Sequence, residues 1–501
     1  MNKKIISVFL AFAAVVSVFC SCQKQNKENE DTVYEDKGSA KVVDIALPFS
    51  SGDSLNPYFA QSRENLALAY IYCQPLFTVK SDYNCENVIA ADFSVNDKRV
   101  EVTLNEVLFS DGSVLRAEDV VYSFNLAKKS SAFSQRLRNV ESVSASASSV
   151  TFNLSSADKL AANVLTFPIV KTGTAENKDS VPIGSGVFKF NGREELIINS
   201  YSQKISTINT VKLCDIKTTE LAVSELEIGN INYLFEDFSE GKFKAIVSEN
   251  RNVTLNNLVF LGINAKDSAL SSQALRTAVY YAIDKENASA TPYQGYAVAA
   301  VTPFNPDFYE LEKLNLPDVK GDKNKARSII EKLGYSSGTK NGVESVSDNR
   351  LNLSLIVNKD NMFRVAAANR IAQELSQCGF KINVVSLSTE DYMHRINEGN
   401  YQLCIGEVKL TENMDLYAFN NGFYKECLAE NLSFFKDYDD YKAGKKDMNA
   451  VVDSFLNDVP FVPVCYRVGI AAYTKLYSPD FTYAPFDIYG NIENWEAEDE
   501  N

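Results

Sequence analysis

LSLIVNKDNMFRVAAANRIAQELSQCGFKINVVSLSTEDYMHRINEGNYQLCI, residues 353–405, reads as three strands separated by two helices. Leu353–Val357 is apolar and strand-like. Met362–Cys378 carries Val365, Ala368, Ile371, Ala372 and Leu375 at helical spacing, and Gly379 stops that helix as its C-terminal cap. Phe380, Ile382 and Val384 then alternate as a strand, Glu390–Asn397 returns to helical spacing, and Tyr401–Ile405 is strand-like again. Such an alternation predicts a parallel sheet covered by helices. Outside this block, Gln273–Ala282 and Asp322–Leu333 read as further helices, the second ending before Gly334.

The N-terminal half is a mixture of strands and helices. Val42–Pro48 is strand-like and is closed by the Leu55-Asn56-Pro57 turn; Asn65–Gln74 is helical and halted by Pro75. RVEVTL at 99–104 and VTFNL at 150–154 alternate as strands, and Ala117–Ala127 between them has the spacing of a helix that buries Val120 and Phe124.

With 501 residues, 45% apolar and 23% charged, the chain can build two or three domains with cores of their own. A formal charge of −15 argues against a nucleic-acid partner. The single histidine, His394, removes metal sites that need two imidazoles, and its helical, charged surroundings make it a surface residue. Nine cysteines without a C-x-x-C spacing remove zinc ribbons and thioredoxin chemistry.

Met1–Lys4 is basic and Ile5–Phe19 is apolar but for Ser7 and Ser17, the pattern of a secretory signal. Ser21-Cys22 after it resembles the lipobox of bacterial lipoproteins, which implies a signal peptide over 1–21 and a lipid on Cys22; simple secretion is the alternative. Residues 22–41 are too polar to fold and read as a tether. Seven cysteines then remain in the body, of which Cys73 and Cys85 are close enough in sequence to pair, and at most one or two disulfides are expected.

Val102–Phe124, VTLNEVLFSDGSVLRAEDVVYSF, resembles the signature of the family 5 extracellular solute-binding proteins, the peptide and nickel receptors of ABC importers, through Phe109, Asp111, Gly112, Ala117, Glu118, Asp119 and Val120. Further segments match that family in order: Leu55-Asn56-Pro57, Gly184-Ser185-Gly186-Val187-Phe188, Glu225 to Tyr233, Gly262-Ile263-Asn264, Leu275 to Asp284, Lys325 to Tyr335, and Val459 to Val464. The resemblance implies an α/β, two-lobed periplasmic-binding-protein fold of class II, the three-subdomain cluster C type, with mixed sheets flanked by helices. By that analogy the main subdomain of lobe I takes 42–60, 178–258 and 472–501, its extra subdomain 61–177, and lobe II 259–471, with hinge crossings near Gly262 and Tyr466 to Ala471.

The same resemblance implies a receptor without catalysis or cofactor that takes oligopeptides or dipeptides to ABC permease subunits. It is expected to work as an exported monomer, lipid-anchored on the outer side of the cytoplasmic membrane or at the cell surface. Aligned on the family's amine-binding loop, Glu412 stands at the anchor for a ligand α-amino group and Asp415 at the Asp of its Asp-Pro turn, while Lys409 stands where the family has tryptophan. Asn358 and Asp360 fall where dipeptide receptors place an arginine, which takes the ligand carboxylate, and a tyrosine; the readings are Lys359 between them as a substitute point charge, a pocket that holds longer peptides through backbone hydrogen bonds, or a plain turn and helix cap. The alternatives are a non-peptide solute such as a metal chelate or oligosaccharide, and an adhesin or sensor lipoprotein. An acyl-transferase reading of Lys171-Thr172-Gly173, Ser337 to Lys340 and Ser347-Asp348-Asn349 is disfavoured by their order along the chain.

Overall fold

A computed structural model describes residues 43–239, 241, 245–335, 339–340, 343–344, 351–422, 424–474 and 481–496. Cys22, Ser337 and Ser347 to Asn349 lie outside the described residues.

Strand Val43–Phe49 pairs in parallel with Ile208–Asp215, and Glu195–Ile198 and Phe188–Phe190 extend that sheet to four strands. A second four-stranded sheet, wholly antiparallel, has the order Ala90–Asn96, Arg99–Leu104, Ser149–Leu154, Val140–Ser146. Its alternation has a simple cause: Val100 and Val102 are buried while Arg99, Glu101 and Thr103 face solvent, so one side can take a helix. Helix Ala117–Ala127 packs there, its Phe124 edge-on to Phe152 at 5.8 Å.

The Asp-Gly and Ala-Glu-Asp-Val segments have structural duties. Gly112 takes φ +85°, which only glycine adopts without strain, so that the turn can bring Phe109 N–H to Ser113 O. Buried Asp119 accepts from the Arg116 N–H at 2.8 Å to cap its helix, and its other oxygen accepts from the Thr172 N–H and hydroxyl. Lys171 pairs with Asp111 at 2.5 Å. Lys171-Thr172 thus ties this turn and helix together.

The third sheet has seven strands, running Tyr233–Glu236, Phe461–Tyr473, Glu249–Ile263, Leu403–Lys409, Leu351–Asn358, Phe380–Leu387, with Ala297–Ala299 added against Phe461–Tyr473. Leu351–Asn358 is parallel to both Phe380–Leu387 and Leu403–Lys409, as the strand and helix alternation predicts. Helices Met362–Ser376 and Thr389–Asn397 stand between them, capped by the side chains of Asn361 and Ser388. The last of these strands begins two residues later than its apolar run and continues to Lys409. The extension holds because Gly406, Glu407, Val408 and Lys409 pair with Asn257 to Phe260, a tertiary pairing that overrides the polar side chains.

Apolar side chains gather into two cores. One holds Ile45, Leu68, Val100, Phe124, Phe152 and Trp495, and the other holds Phe260, Ile356, Ile371, Ile405, Phe419 and Phe461. Strand Glu249–Ile263 passes from the first to the second, with Val253 and Leu255 in one, Leu258 onward in the other, and a register break between Thr254 and Leu258. That change of core comes before Gly262, whose lack of a side chain instead lets the strand lie against Cys404: a Cβ there would sit 2.6 Å from its Sγ. Its partner Phe461–Tyr473 is buried throughout and ends with Ala471 and Tyr473 in the first core.

The expected disulfides are absent among the described residues. Cys73, Cys85, Cys214, Cys378, Cys404, Cys427 and Cys465 are all free thiols, and Cys73 is fully enclosed, where it packs as a small apolar group. Trp495 is buried against Tyr233 at 5.0 Å and His394 is exposed beside Glu398.

Candidate functional site

A cavity of about 320 Å³ lies where segments of both cores meet. Arg63, Tyr70, Phe133, Arg136 and Phe235 line it from first-core segments, Asn256, Asn257, Lys409, Leu410 and Glu412 from the strand and loop that enter the second, and Pro485 to Ile488 close one side. Aromatic walls with a few charged groups are the ordinary make-up of a small-molecule site.

The loop that carries Glu412 follows strand Leu403–Lys409 and is fixed through its backbone. Asn256 donates to the carbonyls of Leu410 and Thr411, both at 3.0 Å, and itself accepts from the Tyr83 hydroxyl at 2.8 Å. Asn163 donates to the Glu412 carbonyl at 3.3 Å, and Tyr438 to the carbonyl of Met414, a residue with φ +56° at the loop's tight turn. Asn413 reaches Asp158 at 2.7 Å, and Asp158 pairs with Lys442 at 2.5 Å.

Glu412 is buried and its carboxylate lies 2.8 Å from the Arg136 guanidinium. Arg136 also donates to Thr166 Oγ1 at 2.8 Å and stands over the Phe133 ring. Burial works against the Arg136 charge, and the Glu412 carboxylate together with the Tyr70 hydroxyl outweighs it, holding the guanidinium above its ordinary value. Enclosure raises the neighbouring Tyr70 hydroxyl to about 12, with Arg136 pulling the other way. Asp415 is partly exposed, accepts from the Tyr417 N–H at 3.0 Å, and faces Arg138 at 3.6 Å; it does not line the cavity. Asn358 and Lys359 lie in the turn between strand Leu351–Asn358 and helix Met362–Ser376. There Asn358 bonds Thr389 and the Asp360 N–H, and neither residue lines the cavity.

Four groups at the cavity were not legible in the sequence as site residues: Arg136, Arg63, Asp237 and Asp487. Arg63 sits 3.5 Å from Asp237; burial disfavours the Asp237 charge, but Arg63, the Ser239 hydrogen bonds and Arg467 together hold its carboxyl below the usual range. Arg467 donates to the Asp237 carbonyl and pairs with Glu407 at 2.7 Å, and Glu407 accepts from Asn257 at 2.9 Å, so the polar wall is continuous between the cores. Asp487 accepts from the Tyr489 N–H at 3.1 Å, and enclosure by protein pushes its carboxyl up to about 7. The one signal available for Arg136 is the pair of arginines in Ser134-Gln135-Arg136-Leu137-Arg138, spaced to meet Glu412 and Asp415; nothing local marks Asp487.

The model of the bacterial extracellular solute-binding proteins, family 5 Middle, matches residues 85–427. Among curated proteins, the chain is 20% identical to heme-binding protein A of Haemophilus influenzae over 92% of its own length and 94% of that protein. It is 22% identical to the oligopeptide-binding protein AppA of Bacillus subtilis over 78% and 79%. The structure of that AppA in complex with a nonapeptide is similar with a TM-score of 0.59 at 19% identity, covering 91% of this chain and 99% of the other. The ABC transporter substrate-binding protein CtaP of Listeria monocytogenes is similar with a TM-score of 0.68 at 18% identity, covering 91% and 99%.

Three measurements check the electrostatics of the site. Glu412→Gln leaves the half-buried Arg136 guanidinium without its counter-charge and is expected to lower unfolding stability by about 1–3 kcal/mol in denaturant melts. A double-mutant cycle with Arg136→Met should return a coupling of at least about 1 kcal/mol, whereas additivity would contradict the pair. Asp487, whose folded pKa is raised, favours the fold while protonated and loses that contribution as pH rises toward about 7. Asp487→Asn should therefore raise the melting temperature by about 1–3 °C at pH 8 and by less at pH 5.

Proposed function

The chain belongs to the family 5 bacterial extracellular solute-binding proteins, and on that footing we propose that it captures peptides in the cavity between its two cores and hands them to an ABC import permease. The observation that carries this reading is the cavity itself, walled by Tyr70, Phe133 and Phe235 and by paired charges from both cores. The similarity to the AppA that holds a nonapeptide supports the same class of solute. Binding draws the segments of the two cores together, the solute contributing its differential affinity for the joined state.

The protein is a binder rather than an enzyme in this reading. The Lys171-Thr172 pair that could suggest acyl transfer is occupied with Asp111 and Asp119, and the described residues hold no cluster of three or more metal-ligating side chains. No described helix is long and apolar enough to cross a membrane, and the proposed attachment is the lipid on Cys22, with residues 22–41 as tether and the body a monomer outside the cytoplasmic membrane. Similarity to heme-binding protein A supports a second reading, a non-peptide solute in the same cavity.

Native mass spectrometry of the full chain, purified gently and then offered a mixed peptide pool, tests the proposal: adducts at peptide masses are expected, and a spectrum that no peptide shifts would overturn it. In cells fed a labelled fatty acid, label is expected in the intact chain and none in Cys22→Ser; equal labelling of the two would refute the anchor.

A further inference from the structure

Most of the charges around the cavity have a partner. Glu412 is taken by Arg136, and Asp237 by Arg63. Of the cavity's charged side chains, Asp487 and Lys409 alone form no ion pair with any described residue. Glu493 and Lys204, the charged groups that act on Asp487, are paired with each other; Glu493 raises its carboxyl and Lys204 offsets this only in part, so neither forms an ion pair with it. One oxygen of Asp487 accepts from the Tyr489 N–H, which leaves the other for a ligand.

Its position adds to this. Asp487 and Tyr70 also line a second cavity of about 500 Å³ beside the first, so the carboxyl stands where the two meet. The second cavity is bordered by Ser185, a buried hydroxyl that has no hydrogen-bond partner among the described residues. Asp487 is partly exposed toward the cavities, and a carboxylate largely walled by protein and left without an ion pair carries a cost that an ammonium brought by a ligand reduces.

We propose that Asp487, rather than Glu412, anchors the protonated amine of the bound solute, so that the site selects peptides or similar small molecules with a free primary ammonium. This rests on the peptide-capturing reading given above. Lys409, at the position where the family's loop has tryptophan, gives the same cavity a cation for the ligand's negative end. Glu412 keeps its pairing with Arg136 while ligand is bound.

The test is competitive. The full chain is offered equal amounts of a random tetrapeptide library and the same library N-acetylated, and native mass spectrometry reads the ratio of the two bound forms. Wild type should favour the free-amine form by at least about 30-fold, the scale of a lost buried charge contact. Asp487→Asn should bring the ratio near one, and Asp487→Ser, whose hydroxyl can also accept the Tyr489 N–H, should do the same. A wild-type ratio near one, or an unchanged ratio in both Asp487 variants, would overturn the anchor and leave the peptide reading standing. Failure of wild type to bind either library would overturn the peptide reading itself and this inference with it.

Discussion

Arg136 comes from the segment after helix Ala117–Ala127 and Glu412 from the loop after strand Leu403–Lys409, and the 2.8 Å contact between them sets the terms for everything around the cavity. A buried ion pair adds little net stability over apolar packing, yet either member alone would be costly. Its effect is therefore on placement: the two side chains must meet, so their segments must. The same geometry recurs beside it, with Arg138 facing Asp415, Lys442 against Asp158, and Lys159 against Glu310 at 3.0 Å. Each joins a residue from 136–159 to one from 310–442.

Beneath those contacts lies a covalent constraint. Glu249–Ile263 and Phe461–Tyr473 pair along most of their length and run through both cores, so any relative motion of the cores must bend this pair. The register break between Thr254 and Leu258 is the place where the ladder is already interrupted, and Asn256 and Asn257 within it turn to the cavity and its loop. Arg467 on one of the two strands links Glu407 to Asp237, and Asp237 reaches Arg63 on the first-core helix. Binding and core movement thus act on the same few residues.

How legible this was in the sequence divides by the range of the interaction. Elements set by local periodicity and caps could be read closely: Gln273–Ala282 and Ala117–Ala127 have their expected bounds, and the strand and helix alternation after Leu351 builds the parallel part of the sheet. The family resemblance pointed to the loop of Glu412, and Glu412 lines the cavity. Its partner was hidden, because Arg136 lies far away along the chain and only the fold brings it in. Asp487 was hidden for the same reason, since a lone aspartate near an acidic C-terminus reads as solvated until its enclosure is seen. Proximity in sequence misled over Cys73 and Cys85, which the fold keeps as separate thiols.

The most direct measurement is a crystal structure of the protein with a captured peptide. The amine nitrogen is expected within about 3 Å of an Asp487 carboxylate oxygen, with Arg136 still on Glu412. A peptide amine seated on Glu412, with Arg136 turned away and Asp487 untouched, would contradict the assignment of charges on which this reading of the cavity depends.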